Sequence, residues 1–257
     1  MIEFTLLLDS IVFQLKAMMK ILEKFIAVLA CVALAGCGAD QEGDAAMQVR
    51  TDGPLVLAVM PDLPPYASLD EASGEVVGID IDIVRSAAAK LGRPLKIVQA
   101  PFAALLPMVK DGKADFAACG ITITEGRRRN VDFSDPYAIE GSAFLYRAGE
   151  KTPTMITAES LRVAAVEGMT QDFYLTRHGI DPIRYSTINE AVADLIAHKI
   201  DMVAYDRPAI ATLAEMSNGK FAVSPLETRE RYGIAVRKNC PDYLAAVNEA
   251  IRERSGK

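Results

Sequence analysis

The sequence predicts an α/β protein with two lobes, each a mostly parallel sheet flanked by helices, and a ligand cleft between the lobes. Strand-like apolar runs alternate with amphipathic helical patterns from residue 54 to residue 124, and the same alternation starts again at residue 142. No long linker separates the two stretches. This alternation is typical of parallel sheets covered by helices, and small ligands often bind where two such units meet.

The first stretch contains three predicted strands and two predicted helices. Short apolar runs predict the strands, at residues 54–60, 95–100 and 114–124. Helical spacing of apolar residues, closed in each case by a glycine, predicts helices at residues 78–92 and 102–112.

The second stretch repeats the pattern with more elements. Predicted strands occupy residues 142–150, 161–166, 183–186, 201–206, 221–225 and 232–238. Predicted helices occupy residues 169–179, 188–200, 207–219 and 241–257. Pro208 falls near the first turn of a predicted helix, where proline is tolerated.

The N-terminal region has the three parts of an export signal. Lys20 and Lys24 precede an unbroken apolar run at residues 25–35, and Leu-Ala-Gly-Cys follows, ending at Cys37. Such a run spans roughly 16 Å as a helix, which is too short for a hydrocarbon core of about 30 Å. The alternative is a buried helix. The last four residues resemble the lipobox of bacterial lipoproteins, in which the cysteine is acylated and becomes the first residue.

This resemblance sets the predicted boundaries. Residues 1–36 are the lipoprotein signal segment, with the true start expected near Met19, and residues 37–52 are a flexible tether. The first lobe comprises residues 53–143 and 230–257, and the second lobe comprises residues 144–229.

Composition excludes several classes of function. The net charge is -6 and the longest basic cluster is Arg127 to Arg129, which argues against nucleic-acid binding. The chain has no glycine-rich phosphate loop, no C-x2-C pair and only two histidines, so we expect no metal and no cofactor. Cys119 and Cys240 follow the predicted cleavage site, and we expect them to be unpaired thiols.

Four features have two interpretations on the residues alone. The three arginines of "GITITEGRRRNVDFSDPY" form either a solvated turn or an anion site. Asp206 either caps the helix that follows it or contacts a ligand. Tyr66 is either a core residue or a lid. Asp80 and Asp82 are either paired carboxylates for acid–base chemistry or structural residues at a helix start.

Four blocks in order resemble the periplasmic amino-acid-binding proteins of ABC importers, the extracellular solute-binding protein family 3. They are "PDLPPY" before "GIDIDI", "DGKADFAACGITITEGRRRNVDFSDPY", "VAAVEGMTQDFYL" and "HKIDMVAYD". The resemblance covers nearly all of the chain after Cys37 and implies a type II periplasmic-binding-protein fold. It also implies a monomer that binds a free amino acid and has a membrane permease and its ATPase as partners. Such a protein works in the periplasm or at the cell surface, attached by its lipid.

The resemblance also implies which residues bind the ligand. Arg127 clamps the ligand carboxylate, a role that suits a bidentate guanidinium, and Thr122 and Thr170 add their hydroxyls. A backbone carbonyl at Gly120 and the carboxylate of Asp206 accept from the ammonium. Tyr66 covers the aliphatic part of the ligand.

Two departures and two alternatives qualify this interpretation. Met60 and Leu63 stand where family members for cationic ligands often have an acidic residue and an aromatic one, so a neutral or polar side chain is favoured.

The same fold hosts exported cyclohexadienyl and arogenate dehydratases, but no catalytic acid other than Asp206 stands out. We therefore expect no enzymatic activity. The third possibility is a periplasmic amino-acid sensor module.

We predict that Cys37 is lipidated. Mass spectrometry of the membrane fraction should find a mature N-terminus at Cys37 carrying acyl chains. An intact leader, or cleavage at another residue, would contradict the prediction.

Overall fold

The computed structural model describes residues 53–256, which form two lobes, each built around a five-stranded sheet. The predicted export signal, Cys37 and the tether lie outside the described residues. Within residues 53–256, no helix is both long enough and apolar enough to cross a membrane.

The described residues contain fifteen strands and eight helices. The strands are β1 (Leu55–Val59), β2 (Asp62–Leu63), β3 (Ala67–Leu69), β4 (Val76–Val77), β5 (Leu95–Gln99), β6 (Phe116–Ala118), β7 (Asp132–Phe133), β8 (Ala138–Glu140), β9 (Ser142–Arg147), β10 (Val163–Val166), β11 (Ile183–Tyr185), β12 (Met202–Asp206), β13 (Phe221–Val223), β14 (Glu230–Tyr232) and β15 (Ala235–Val236). The helices are α1 (Ile79–Lys90), α2 (Phe102–Lys110), α3 (Glu125–Arg128), α4 (Met155–Ala158), α5 (Thr170–Arg177), α6 (Ile188–Ile196), α7 (Arg207–Met216) and α8 (Pro241–Ser255).

The two large sheets share one plan. The first lobe has the strand order β5-β1-β6-β15-β7, and the second lobe has the order β11-β10-β12-β9-β13. In the first sheet β15 runs antiparallel to both of its neighbours, and in the second sheet β9 does the same. The other four strands of each sheet therefore run in one direction, which confirms the predicted mostly parallel lobes.

Helices cover both sheets. In the first lobe α1 and α2 pack on the strands and α8 packs on α1; in the second lobe α5, α6 and α7 pack on the strands. β1 and β12 are buried at every residue, as expected for continuous apolar runs with helices on both sides. The capping box formed by Thr187 and Glu190 fixes the start of α6.

Two chain crossings connect the lobes, and they pair with each other. β8 and β14 form a two-stranded antiparallel ladder between the large sheets. β9 pairs with β12 from Ser142 onward, so the second sheet begins two residues before the predicted boundary at residue 144.

The strand predicted at residues 114–124 is shorter than expected. β6 ends at Ala118, because Cys119 and Gly120 adopt positive φ angles of 148° and 54°. Their N–H groups donate to the Asp80 carboxylate at 3.0 and 2.8 Å instead of extending the sheet. Asp80 is therefore a structural anchor. It does not pair with Asp82, which is exposed and lies 3.5 Å from Arg254.

A buried ion pair joins separate parts of the first lobe. Arg237 Nη2 lies 3.0 Å from Asp115 Oδ1, and both side chains are almost completely buried. Asp115 Oδ2 also accepts from the Val56 N–H at 2.9 Å. The pair therefore links β1 to the chain around β6 and β15.

We predict that Arg237→Met destabilises the protein by about 3–5 kcal/mol, because it leaves the Asp115 carboxylate buried without its counter-charge. Urea unfolding of the variant and the parent measures the difference. Arg85→Met is the matched control, since its ion pair with Glu75 is exposed and contributes at most about 1 kcal/mol. A variant at position 237 as stable as the control would contradict the prediction.

Candidate functional site

The candidate site lies where strand ends of the two lobes meet. β6 leads into Gly120 and Thr122 of the first lobe. In the second lobe β10 leads into Gly168 and Thr170, and β12 ends in Asp206. The carboxyl ends of parallel strands are the usual place for ligands in such sheets. Residues predicted from distant parts of the sequence are thus brought to one junction.

Arg127 differs from the two arginines beside it. Its Nη1 donates to the Thr122 carbonyl at 2.9 Å and its Nη2 donates to the Gly168 carbonyl of the other lobe at 3.1 Å. Burial lowers its pKa to about 10, although the charges of Glu230 and Asp206 act in the opposite direction. Arg128 and Arg129 are exposed. The arginine run therefore turns one guanidinium inward and leaves two in solvent.

A carboxylate that sequence analysis did not single out lies between the lobes. Glu230 Oε2 accepts from Thr122 Oγ1 at 2.5 Å and from Thr170 Oγ1 at 2.7 Å. Its Oε1 accepts from Ser142 Oγ at 2.7 Å and from Thr228 Oγ1 at 2.6 Å. Burial raises the pKa of Glu230, but the four hydroxyl donors outweigh burial and hold it below its usual range.

Asp206 is the second buried carboxylate of the junction. Its Oδ1 accepts from Gln171 Nε2 at 3.2 Å and from the Tyr232 hydroxyl, whereas its Oδ2 is buried and has no hydrogen-bond partner among the described residues. Asp206 occupies the position before α7, but its side chain caps no N–H group of that helix. Burial and the charge of Glu230 raise its pKa to about 7.

A chain of hydrogen bonds connects the two carboxylates. Gln171 Nε2 donates to Ser142 Oγ at 2.7 Å as well as to Asp206, and Ser142 in turn donates to Glu230. Gln171 Oε1 is buried without a partner in the described region. Gln171 directly follows Thr170 at the start of α5. Its link between the two carboxylates arises from its position in the fold.

Tyr66 lies beside the junction in an aromatic cluster. Its hydroxyl donates to Glu140 Oε1 at 2.6 Å, and its ring packs edge-on against Tyr232, which bonds to Asp206. The Tyr232 side chain thus contacts both Tyr66 and Asp206. Its predicted place over a ligand stays a prediction.

Gly120 lies under two side chains. A Cβ atom at this position would lie 2.3 Å from Leu63 Cδ2 and 3.0 Å from Tyr232 Cε2, so only glycine fits. The positive φ of 54° also favours glycine. Leu63 and Tyr232 therefore lie close to the Cα of Gly120. The predicted contact between the Gly120 carbonyl and an ammonium stays a prediction.

An open groove of about 860 Å³ adjoins the part of the junction that contains Arg127 and Glu230. Thr122, Arg127, Thr170 and Glu230 form part of its wall. Its other charged residues are mostly arginines, namely Arg177, Arg229 and Arg231, with Glu125 as a further acidic residue.

No metal or redox site stands out among residues 53–256. No group of three or more histidine, cysteine or acidic side chains in that range is arranged to hold a metal ion. Cys119 and Cys240 are buried and unpaired.

Comparisons with known proteins agree on one family. The sequence profile described as "Bacterial extracellular solute-binding proteins, family 3" matches residues 55–256. The probable histidine-binding protein of Neisseria gonorrhoeae is 31% identical over 244 residues, which cover 90% of this chain and 90% of that protein. The L-arginine-binding protein of Pseudomonas aeruginosa is 29% identical over 213 residues, covering 78% of this chain and 82% of that protein.

A solved structure extends the similarity to three dimensions. The holo form of ArgBP from T. maritima superimposes with a TM-score of 0.74 at 32% sequence identity. The match covers 79% of this chain and 91% of that one. The two-lobed fold is therefore shared.

We predict that Asp206 makes stability fall as pH rises. Its folded pKa of about 7 lies above the ordinary value of 3.8, so the folded protein holds one more proton than the unfolded chain between these values. The unfolding free energy of the parent relative to Asp206→Asn should therefore decrease from about pH 4 to about pH 7, by up to about 4 kcal/mol. Urea unfolding at several pH values measures this, and a constant difference would contradict it.

Proposed function

Because the chain belongs to the bacterial extracellular solute-binding proteins, family 3, we propose that it captures an amino acid between its lobes and delivers it to an ABC importer. Its relatives include binding proteins for amino acids, and the chain is likewise a binding protein and not an enzyme. It acts in the periplasm, with the permease and ATPase of the importer as its partners. We further propose that it works as a monomer tethered by a lipid on Cys37.

The observation that carries this proposal is the pair of opposite charges at the lobe junction. Arg127 uses two N–H groups on backbone carbonyls, and a guanidinium has five, so three remain for a carboxylate. Asp206 presents the buried, unpartnered Oδ2, which an ammonium group would satisfy. A free amino acid carries both groups on one carbon atom.

The remaining residues complete the recognition. Thr122 and Thr170 assist Arg127 at the carboxylate, one from each lobe, and Thr170 opens α5, whose N-terminus favours an anion. The Gly120 carbonyl assists Asp206 at the ammonium. Tyr66 covers the aliphatic part of the ligand.

A neutral or polar side chain fits the first lobe best. Met60 and Leu63 are buried at the end of β1 and in β2, and they provide an apolar wall. Relatives are named for histidine and for arginine, so the specificity of the family varies between members.

We predict that Arg127→Ala weakens amino-acid binding by about 2–5 kcal/mol, roughly 30-fold to several thousand-fold, because a buried carboxylate loses its counter-charge. Arg127→Lys should also bind poorly, since an ammonium lacks the bidentate fork. A thermal-shift screen of the natural amino acids identifies the ligand, and calorimetry then compares the variants.

Arg128→Ala and Arg129→Ala are the matched controls, because each removes the same charge from an exposed position and should change affinity little. If Arg127→Ala binds like these controls, the carboxylate clamp lies elsewhere. If no amino acid stabilises the parent, the proposed function is wrong.

A further inference from the structure

The hydroxyls that should bind the ligand carboxylate are already engaged. A threonine hydroxyl has one proton, and Thr122 and Thr170 both donate theirs to Glu230 Oε2, at 2.5 and 2.7 Å. While these bonds persist, neither hydroxyl has a proton for a second carboxylate. A ligand carboxylate and the Glu230 carboxylate therefore compete for the same donors.

We propose that Glu230 is an internal occupant of the carboxylate subsite, which holds the ligand-free lobes together and must be displaced when a ligand binds. The second half of this proposal rests on the proposed function, whereas the first half does not. Glu230 is thereby a residue that sets affinity without contacting the bound ligand.

The position of Glu230 suits this role because its donors come from both lobes. Thr122 belongs to the first lobe, Ser142 and Thr170 belong to the second, and Glu230 itself lies on the crossing strand β14. Opening the cleft separates these donors and breaks bonds to an ionised group, which are stronger than bonds between neutral groups. One carboxylate thus joins the lobes in the way a bound amino acid would.

The groove next to Glu230 makes an exchange of carboxylates feasible. Arg177, Arg229 and Arg231 line it, and their side chains form no ion pair with any residue in 53–256. Unpaired arginines attract an incoming carboxylate. They also provide counter-charges in solvent for Glu230 after its displacement.

Glu230→Ala tests whether Glu230 holds the ligand-free lobes together, and this test needs no amino acid. The variant keeps Cβ and lacks a CH2–COO⁻ group, which acetate reproduces. Small-angle scattering should show a larger radius of gyration for the free variant than for the free parent. Sodium acetate should restore the parent value, whereas acetamide and sodium chloride at the same concentration should not.

Glu125→Ala is the matched control, because Glu125 lines the same groove but its carboxylate is exposed and accepts from none of these hydroxyls. It should scatter like the parent. If Glu230→Ala does not fold, Glu230→Gln replaces it, since its amide oxygen can accept from only one pair of the hydroxyls and its amide nitrogen can accept from none. That variant should also expand.

The second half is tested with the twenty free L-amino acids in a thermal-shift panel, followed by calorimetry on those that bind. If Glu230 leaves about 0.1–10% of the parent protein able to bind a ligand, the apparent Kd of the parent is raised in proportion. Glu230→Ala should then bind about tenfold to a thousandfold more tightly than the parent. Weaker binding by Glu230→Ala would mean that Glu230 contacts the ligand and would overturn this half.

The outcomes separate the two proposals. An unchanged radius for Glu230→Ala, or no response to acetate, overturns the internal occupant even when amino acids bind the parent. Expansion that acetate reverses supports it even when no amino acid in the panel binds, and then it is the proposed function that fails.

Discussion

One buried charge, that of Glu230, is compensated by hydroxyls from both lobes and so links the two lobes to each other. The Glu230 carboxylate lies at the junction, and an ionised carboxylate in such a place costs several kcal/mol unless donors surround it. Four hydroxyls surround it, and they come from both lobes and from the second crossing. The closed arrangement is therefore the one in which this charge is satisfied, and any opening has to supply other donors, such as water.

The second carboxylate of the junction, that of Asp206, keeps one oxygen without a hydrogen-bond partner among the described residues and in this respect differs from Glu230. Glu230 has a donor set that lowers its pKa, whereas Asp206 has an unpartnered oxygen and a raised pKa, although Ser142 and Gln171 connect the two. Under the proposed function, an ammonium binds at Asp206 and a carboxylate binds at Arg127. The proposed function thus assigns a zwitterion one orientation, because Glu230 already has four hydroxyl donors and Asp206 keeps an oxygen without a partner among the described residues.

Sequence patterns predicted the architecture but only part of the site. The two lobes followed from alternating apolar runs, whereas the residues alone left the arginine run open and only the resemblance to the family singled out Arg127. Glu230 was missed because the strand predicted there began at Tyr232, although the alternation of Arg229, Glu230 and Arg231 marks Glu230 as the inward residue. Gln171 acquires its role only when the ends of β10 and β12 come together, and no local pattern encodes that distance. The strand predicted at residues 114–124 is too long for the same reason, since a distant carboxylate, that of Asp80, ends β6 at Ala118.

A second contact between the lobes involves Asp62, which lies two residues after Met60. Its Oδ1 accepts from the Tyr205 hydroxyl of the other lobe at 2.9 Å, and its Oδ2 is buried without a hydrogen-bond partner in the described part of the chain. Burial raises its pKa to about 6, against the hydrogen bond from Tyr205. Above that pH the carboxyl group is ionised, so the Tyr205 hydroxyl donates to a charged group across the junction. Asp62 therefore adds a hydrogen bond to a carboxylate across the lobe junction, beside those that Glu230 accepts from Thr122 and Thr170.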